Sequence, residues 1–123
     1  MENARQIEKT VLITEDDPAI LDVLQIVFSR QGFRVLAYSD GAALLKNEFE
    51  KPDIFLIDKQ LSGVDGLDIC RHLKSNEETK HIPVIILSAS PHVYNIAIAA
   101  GADNFIEKPF SNKAVLDLVN QYI

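Results

Sequence analysis

The sequence has only one cysteine, Cys70, among its 123 residues. A single cysteine excludes an intramolecular disulfide and a cysteine cluster that could hold zinc or an iron–sulfur centre. No apolar run is long enough to cross a bilayer, and residues 1–9 are polar, without the apolar core of a secretory signal. These absences predict a cytoplasmic protein in which residues 1–9 form a flexible N-terminal segment.

Basic residues are in the minority, since 12 Lys and Arg stand against 18 Asp and Glu, giving a formal net charge of -6. A protein of this charge is repelled by nucleic acids and anionic membranes, so we expect neither as a direct partner. No low-complexity tract or Ser/Pro-rich linker interrupts the chain, and its length is that of one domain. We therefore predict a single domain over residues 10–123.

Two hydrophobic periodicities alternate along the chain, because short β-rich apolar runs are followed by segments with helical spacing. This alternation is typical of βαβ units around a parallel sheet. The predicted strands cover residues 10–14, 33–37, 53–57, 83–87 and 103–107. The first helix is predicted to begin at Pro18, after an Asp17 N-cap, and to end at Gly32. The other helices are predicted over 41–50, 65–75, 92–100 and from 112 to the end.

Polar side chains follow the predicted strands, at the edge where ligands of open parallel sheets bind. They are Glu15, Asp16 and Asp17 after the first strand, Asp58 after the third, Ser88 after the fourth and Lys108 after the fifth. Each has a simpler explanation alone: a helix cap for the acidic triplet, and turn or loop residues for the others. Their joint placement favours a functional site, with Asp17 alone interpreted as a cap.

Carboxylates that converge at one edge repel one another, by roughly 3 kcal/mol per pair at ~5 Å and an effective dielectric of ~20. A cation must offset this repulsion. Mg²⁺ is the natural candidate, because it takes a few hard oxygen ligands and keeps water, which leaves a position for a phosphoryl oxygen. Lys108 would add a second positive charge to stabilise a phosphoryl group during its transfer.

The segments VLITEDD, FLIDKQLSGVDG, IILSA and FIEKPF together resemble the receiver domain of two-component response regulators, from Thr10 onward. The resemblance implies an α/β, flavodoxin-like fold, a (βα)5 three-layer sandwich with a five-stranded parallel sheet of order 2-1-3-4-5. It also implies a phosphorelay function. A histidine kinase or histidine phosphotransfer protein would donate a phosphoryl group to Asp58. The face formed by the fourth helix, fifth strand and fifth helix would then change and contact an output protein or domain, or a homodimer partner.

The same resemblance assigns roles to single residues. Asp58 would be the phosphoacceptor, assisted by Lys108 and Ser88, and Ser88 with Phe105 would form the switch. Mg²⁺ would be bound by Asp16, Asp58 and the backbone carbonyl of Gln60, and by Glu15 through water. Lys108–Pro109 would be a cis peptide. The resemblance implies no enzymatic activity beyond autophosphorylation from small donors and slow autodephosphorylation.

Some positions depart from the family pattern. Ser62 replaces a proline that usually stands four residues after the phosphoacceptor, which predicts a looser loop before Gly63. Segment 90–100 is shorter than in many receivers, which leaves the bounds of the fourth helix open. Phe105 lacks the hydroxyl of the tyrosine often found at its position, so switching by this ring would be steric.

Three other functions occur on folds or sites of this kind. A flavodoxin-like electron carrier is disfavoured because Glu15 and Asp16 would repel the phosphate of FMN. A phosphatase of the haloacid dehalogenase type would need an Asp-x-Asp motif at the first strand, which the sequence lacks. The remaining alternative is a degenerate receiver that acts only as a protein-binding module.

Outside the site, Cys70 is expected to be buried, and Leu116 and Leu118 to form either the core edge or a partner surface.

Overall fold

The structure, a computed structural model, describes residues 8–123. The flexible segment predicted for residues 1–9 lies almost wholly outside this range and stays a prediction. Five strands form one parallel sheet: β1 Thr10–Thr14, β2 Arg34–Tyr38, β3 Ile54–Asp58, β4 Val84–Ser88 and β5 Asn104–Glu107. Their order is β2-β1-β3-β4-β5, so the expected 2-1-3-4-5 order is confirmed.

Helices cover both faces of the sheet: α1 Pro18–Arg30, α2 Ala42–Leu45, α3 Gly66–Ser75, α4 Val93–Ala99 and α5 Asn112–Asn120. Leu24 and Phe28 of α1 pack with Val115 and Val119 of α5 against one face. The other face packs against α2, α3 and α4. The three central strands are buried at every position, because helices cover them on both sides. The predicted three-layer α/β class is therefore confirmed.

Strand boundaries differ slightly from the sequence prediction. β2, β3 and β4 each lie one residue further along the chain than predicted. Asp58 and Ser88 are consequently the last residues of β3 and β4, and the rigid sheet itself holds their backbones. Two residues of the polar edge, Asp58 and Ser88, therefore belong to the sheet and not to the loops that follow it.

The prediction of a ten-residue second helix was wrong, because α2 covers only Ala42–Leu45. Asn47 adopts a left-handed conformation with φ 59°, which stops the helix. Phe49 then packs edge-on against Phe55 of β3, with ring centroids 5.7 Å apart. Burial of this ring against the core outweighs the helical preference of the segment.

Two other expectations can be decided from the packing. Cys70 on α3 is fully buried, as predicted. Leu116 and Leu118 are half-buried and pack against the α1–α5 core, so they form the core edge rather than a free surface.

The chain also forms a small antiparallel hairpin that was not predicted, in which Gln60–Leu61 pairs with Val64–Asp65. We call residues 60–65 the loop hairpin.

Candidate functional site

The acidic triplet after β1 divides between two tasks. Asp17 caps α1, since its Oδ1 accepts hydrogen bonds from the backbone N–H groups of Ala19 at 2.9 Å and Ile20 at 3.4 Å. Glu15 is fully buried, and its Oε2 accepts a bond from the backbone N–H of Asp17 at 3.2 Å. Asp16 stands between them and is exposed. The interpretation of Asp17 as a cap is thus supported by its contacts.

Three carboxylates converge at the carboxyl edge of the sheet. Glu15, Asp16 and Asp58 each place an oxygen within 4.8 Å of the other two. Lys108 Nζ lies 2.8 Å from Glu15 Oε1 and 3.2 Å from Asp58 Oδ2. One ammonium faces three carboxylates, so the cluster keeps a negative charge that a cation would offset. Oxygen donors of this kind suit a hard divalent ion such as Mg²⁺.

Burial and charge change the proton affinities of this cluster. Burial, together with the neighbouring Asp58, raises the pKa of Glu15 above its ordinary value, although Lys108 acts in the opposite direction. Burial acts to lower the pKa of Lys108, but the carboxylates of Glu15 and Asp58 outweigh it and raise that pKa. Lys108 therefore stays positively charged at neutral pH, which is the charge that its predicted role requires.

The carboxylates open into a cleft of about 270 Å³. Its lining residues are Glu15, Asp16, Asp17, Ile20, Asp58, Gln60, Ser88, Ala89 and Lys108. The backbone N–H of Gln60 donates to Asp58 Oδ1 at 3.3 Å. The hydroxyl oxygen of Ser88 accepts a bond from the backbone N–H of Ser90 at 3.1 Å. Because a hydroxyl also carries one donor hydrogen, Ser88 can still donate to a ligand in the cleft.

Gly66, the last residue of the segment FLIDKQLSGVDG, packs directly against the backbone of Asp58. The N–H of Gly66, at the start of α3, donates to the carbonyl of Lys59 at 2.7 Å. A Cβ at Gly66 would lie only 2.1 Å from the carbonyl oxygen of Asp58. The Asp-Gly pair at positions 65 and 66 marks the start of α3 in the sequence. Asp65 caps the helix by accepting a hydrogen bond from the backbone N–H of Leu67 at 2.8 Å.

Phe105 lies on β5 outside this cleft. Its ring is half-buried against the core beneath α4, and its centroid lies 6.1 Å from that of Tyr94 with an interplanar angle of 84°. The Lys108–Pro109 bond is cis, as the resemblance implied. The structure therefore brings together every residue predicted for phosphorylation and metal binding, and it places the predicted switch aromatic on β5 beside Tyr94 of α4.

The family model described as the response regulator receiver domain matches residues 11–120. The chain belongs to this family. It is 34% identical over 110 residues to the alkaline phosphatase synthesis transcriptional regulatory protein PhoP of Bacillus subtilis, covering 87% of this chain and 45% of that protein. It is 38% identical over 109 residues to the transcriptional regulatory protein CseB of Streptomyces coelicolor, covering 86% and 45%. The chain thus spans about half the length of the curated relatives it matches.

Solved receiver structures share the fold. A putative response regulator from Chloroflexus aurantiacus superposes with a TM-score of 0.88 at 25% identity, covering 94% of this chain and 98% of that one. The receiver domain of a sensor histidine kinase from Pseudomonas aeruginosa, crystallised with a magnesium ion in its active-site cleft, gives a TM-score of 0.85 at 24% identity and the same coverage.

Family membership decides between the functions weighed from the sequence. The domain is a receiver of two-component signalling, and receivers of response regulators interact with histidine kinases and output domains. The acidic set of Glu15, Asp16 and Asp58 is intact, so the degenerate alternative is not supported. Across the part of the chain that the structure describes, no helix has the length and apolar character needed to cross a membrane.

Proposed function

We propose that Asp58 accepts a phosphoryl group from a histidine kinase or histidine phosphotransfer protein, with Mg²⁺ in the adjoining carboxylate cluster. The observation that carries the proposal is the convergence of Asp58 with Glu15 and Asp16 within 4.8 Å, beside the ammonium of Lys108. Two buried carboxylates and one exposed carboxylate that share a single ammonium leave a negative charge that a further cation would offset. Its presence at the ligand-binding edge of the sheet favours a functional role over a structural one.

The transfer itself needs little beyond positioning and charge. An oxygen of the Asp58 carboxylate forms a bond to phosphorus while the P–N bond of the phosphohistidine donor breaks, and the histidine nitrogen keeps the electron pair and takes up a proton. Lys108, 3.2 Å from Asp58 Oδ2, can donate to the phosphoryl oxygens as they approach. The exposed Asp16 and Gln60 leave this side of the cleft open to a donor protein.

The donor set fits a magnesium ion. Asp16, Asp58 and the backbone carbonyl of Gln60 would bind it directly, and Glu15 would act through water. When bound, Mg²⁺ would neutralise charge on the transferring phosphoryl oxygens. Lys108 holds Glu15 and Asp58 in place through its contacts of 2.8 and 3.2 Å.

The proposed readout runs from Ser88 to the α4 side of the sheet. A phosphoryl oxygen on Asp58 would accept a hydrogen bond from the Ser88 hydroxyl and draw the loop after β4 inward, which makes space for the Phe105 ring. Phe105 already contacts Tyr94 of α4. Tyr94 and Ile98 are 49% and 39% exposed, so a change at this helix would be presented to a partner. That partner would be an output protein or domain, or a second copy.

The proposed role is that of a cytoplasmic signalling domain. Its chemistry would be limited to phosphorylation from protein or small donors and slow loss of the phosphoryl group by hydrolysis. The net charge of -6 disfavours direct contact of this domain with nucleic acid or anionic membranes. Output would therefore come from another domain or another protein.

The proposal is tested by phosphorylation with acetyl phosphate and Mg²⁺, followed on a phosphate-affinity gel. We expect a mobility shift for the wild type that Asp58→Asn abolishes, because the amide is not a nucleophile. Asp22→Asn is the matched control, since Asp22 is an exposed carboxylate on α1 away from the cleft. An equal shift of the Asp58→Asn protein would contradict the assignment.

A further inference from the structure

Ser62 connects the loop hairpin to the acidic cluster. Its hydroxyl donates to Asp16 Oδ2 at 3.5 Å, across 46 residues of sequence. Within residues 8–123 this is the one hydrogen bond made by the Asp16 side chain. Glu15 and Asp58 are by contrast buried and held by Lys108. Asp16 is thus the member of the cluster whose orientation depends on an exposed contact.

The loop hairpin holds Ser62 in a defined place. Ser62 and Gly63 form the turn between the two paired strands, and Gly63 has the positive φ of 75° that such a turn requires. Leu61, only 8% exposed, anchors the hairpin in the core. At its base, Lys59 Nζ lies 3.3 Å from Asp65 Oδ2. The Ser62 hydroxyl therefore comes from a supported turn that keeps it beside the Asp16 carboxylate.

We propose that Ser62 is a positioning residue that orients the Asp16 carboxylate for the divalent cation. This inference rests on the proposed Mg²⁺ site. A carboxylate has two oxygens, so a bond from Ser62 to Oδ2 leaves Oδ1 available to the ion. An exposed aspartate without that bond samples several rotamers. The conformational entropy that it loses when a metal ion orders it would weaken the affinity for that ion. The hydroxyl thus replaces part of the rigidity that a proline would give the loop.

The test is a Mg²⁺ titration of uniformly ¹⁵N-labelled protein, followed by amide chemical shifts without any phosphoryl donor. We expect Ser62→Ala to weaken Mg²⁺ binding about two- to fivefold, the range of one exposed hydrogen bond to a charged group. Ser62→Thr keeps the hydroxyl and should restore wild-type affinity. Ser29→Ala, which removes an exposed hydroxyl near the far end of α1, is the matched control and should change nothing.

Two further measurements separate positioning from a general structural effect. The urea midpoint of Ser62→Ala in EDTA should equal that of the wild type, and Ser62→Ala should have no added effect in an Asp16→Asn background. Equal or tighter Mg²⁺ binding by Ser62→Ala, or failure of Ser62→Thr to restore it, would overturn the positioning role while leaving the metal site intact. A wild-type protein whose spectrum does not respond to Mg²⁺ would overturn the metal site and this inference with it.

Discussion

Gly66 offers a sharp test of how the fold supports the phosphoacceptor. In Gly66→Ala the new methyl group would lie 2.1 Å from the carbonyl oxygen of Asp58 and 2.9 Å from Cα of Lys59. Both contacts are to backbone, which cannot rotate away as a side chain can. Either β3 or the start of α3 must therefore move by about 1 Å in a densely packed interior.

The magnitude follows from two effects. Overpacking of a core typically costs about 1–3 kcal/mol. Separation of α3 from β3 would also weaken the 2.7 Å bond from the Gly66 N–H to the Lys59 carbonyl, worth about 1 kcal/mol. We expect Gly66→Ala to lower the free energy of unfolding by about 2–4 kcal/mol. A shift of about 1 Å at Asp58 should also slow phosphorylation by up to ~100-fold where the variant is folded.

Urea unfolding and the acetyl phosphate reaction measure these two quantities. Gly32→Ala is the control, because Gly32 has a φ of 90° but nothing within 4 Å of an added Cβ. That variant should show only the cost of a left-handed alanine, about 1–2 kcal/mol, and should be phosphorylated at the wild-type rate. If Gly66→Ala were as stable as Gly32→Ala and equally reactive, the close contact between α3 and the Asp58 backbone would not support the site.

The remaining predictions concern Asp16, Ser88 and Cys70. Asp16→Asn should weaken Mg²⁺ binding more than Asp17→Asn in the same amide titration, because Asp17 caps α1, and the reverse order would shift the site by one residue. Ser88→Ala should bind Mg²⁺ and beryllofluoride yet lose most amide shifts around Phe105 and α4, whereas wild-type shifts would disprove coupling through the hydroxyl. Burial raises the pKa of Cys70 to about 11, so iodoacetamide at pH 8 should label it only after unfolding, as measured by mass. Rapid labelling of the native protein would show that α3 opens. Since the native pKa lies above the ordinary 9.0, the thiol's contribution to stability should disappear as pH rises from there toward about 11.

The sheet was predictable because its pattern is strong. Runs such as IFLI and VIIL are buried on both faces, and only a central strand covered by helices suits them. The second helix was mispredicted for a tertiary reason. Packing of Phe49 on Phe55 stabilises the segment more than continued helix would. Helix propensity is a property of the local sequence and contains no information about a contact with a residue on β3.

The candidate site was predictable in its members more than in its geometry. Strand ends indicated which residues converge, and the resemblance supplied their roles. Asp17 was predicted as the cap of α1. The burial of Glu15 and its contact with Lys108 depend instead on the backbone direction after β1. The contact of Ser62 with Asp16 depends on the two-residue turn of the loop hairpin, which is too short to give a strand pattern of its own.

The two ends of the sheet differ in how well their charges are satisfied. At the amino end, Asp103 Oδ2 accepts bonds at 2.8 Å from both Lys74 Nζ and the backbone N–H of Val84, and Lys74 makes further bonds to backbone carbonyls. At the carboxyl end, burial and the Asp58 charge raise the pKa of Glu15. A raised pKa means that the ionisation of Glu15 lowers stability as pH rises from 4.5 through the folded value. Lys108, whose own pKa the carboxylates of Glu15 and Asp58 raise, offsets part of that loss. A cation or a change of charge at Asp58 would act on the repulsion that one ammonium leaves among three carboxylates, whereas the paired charges of the amino end would change little. The carboxyl edge, where the phosphoryl group would arrive, is therefore the end of the sheet whose charge balance a bound cation or phosphoryl group would change most.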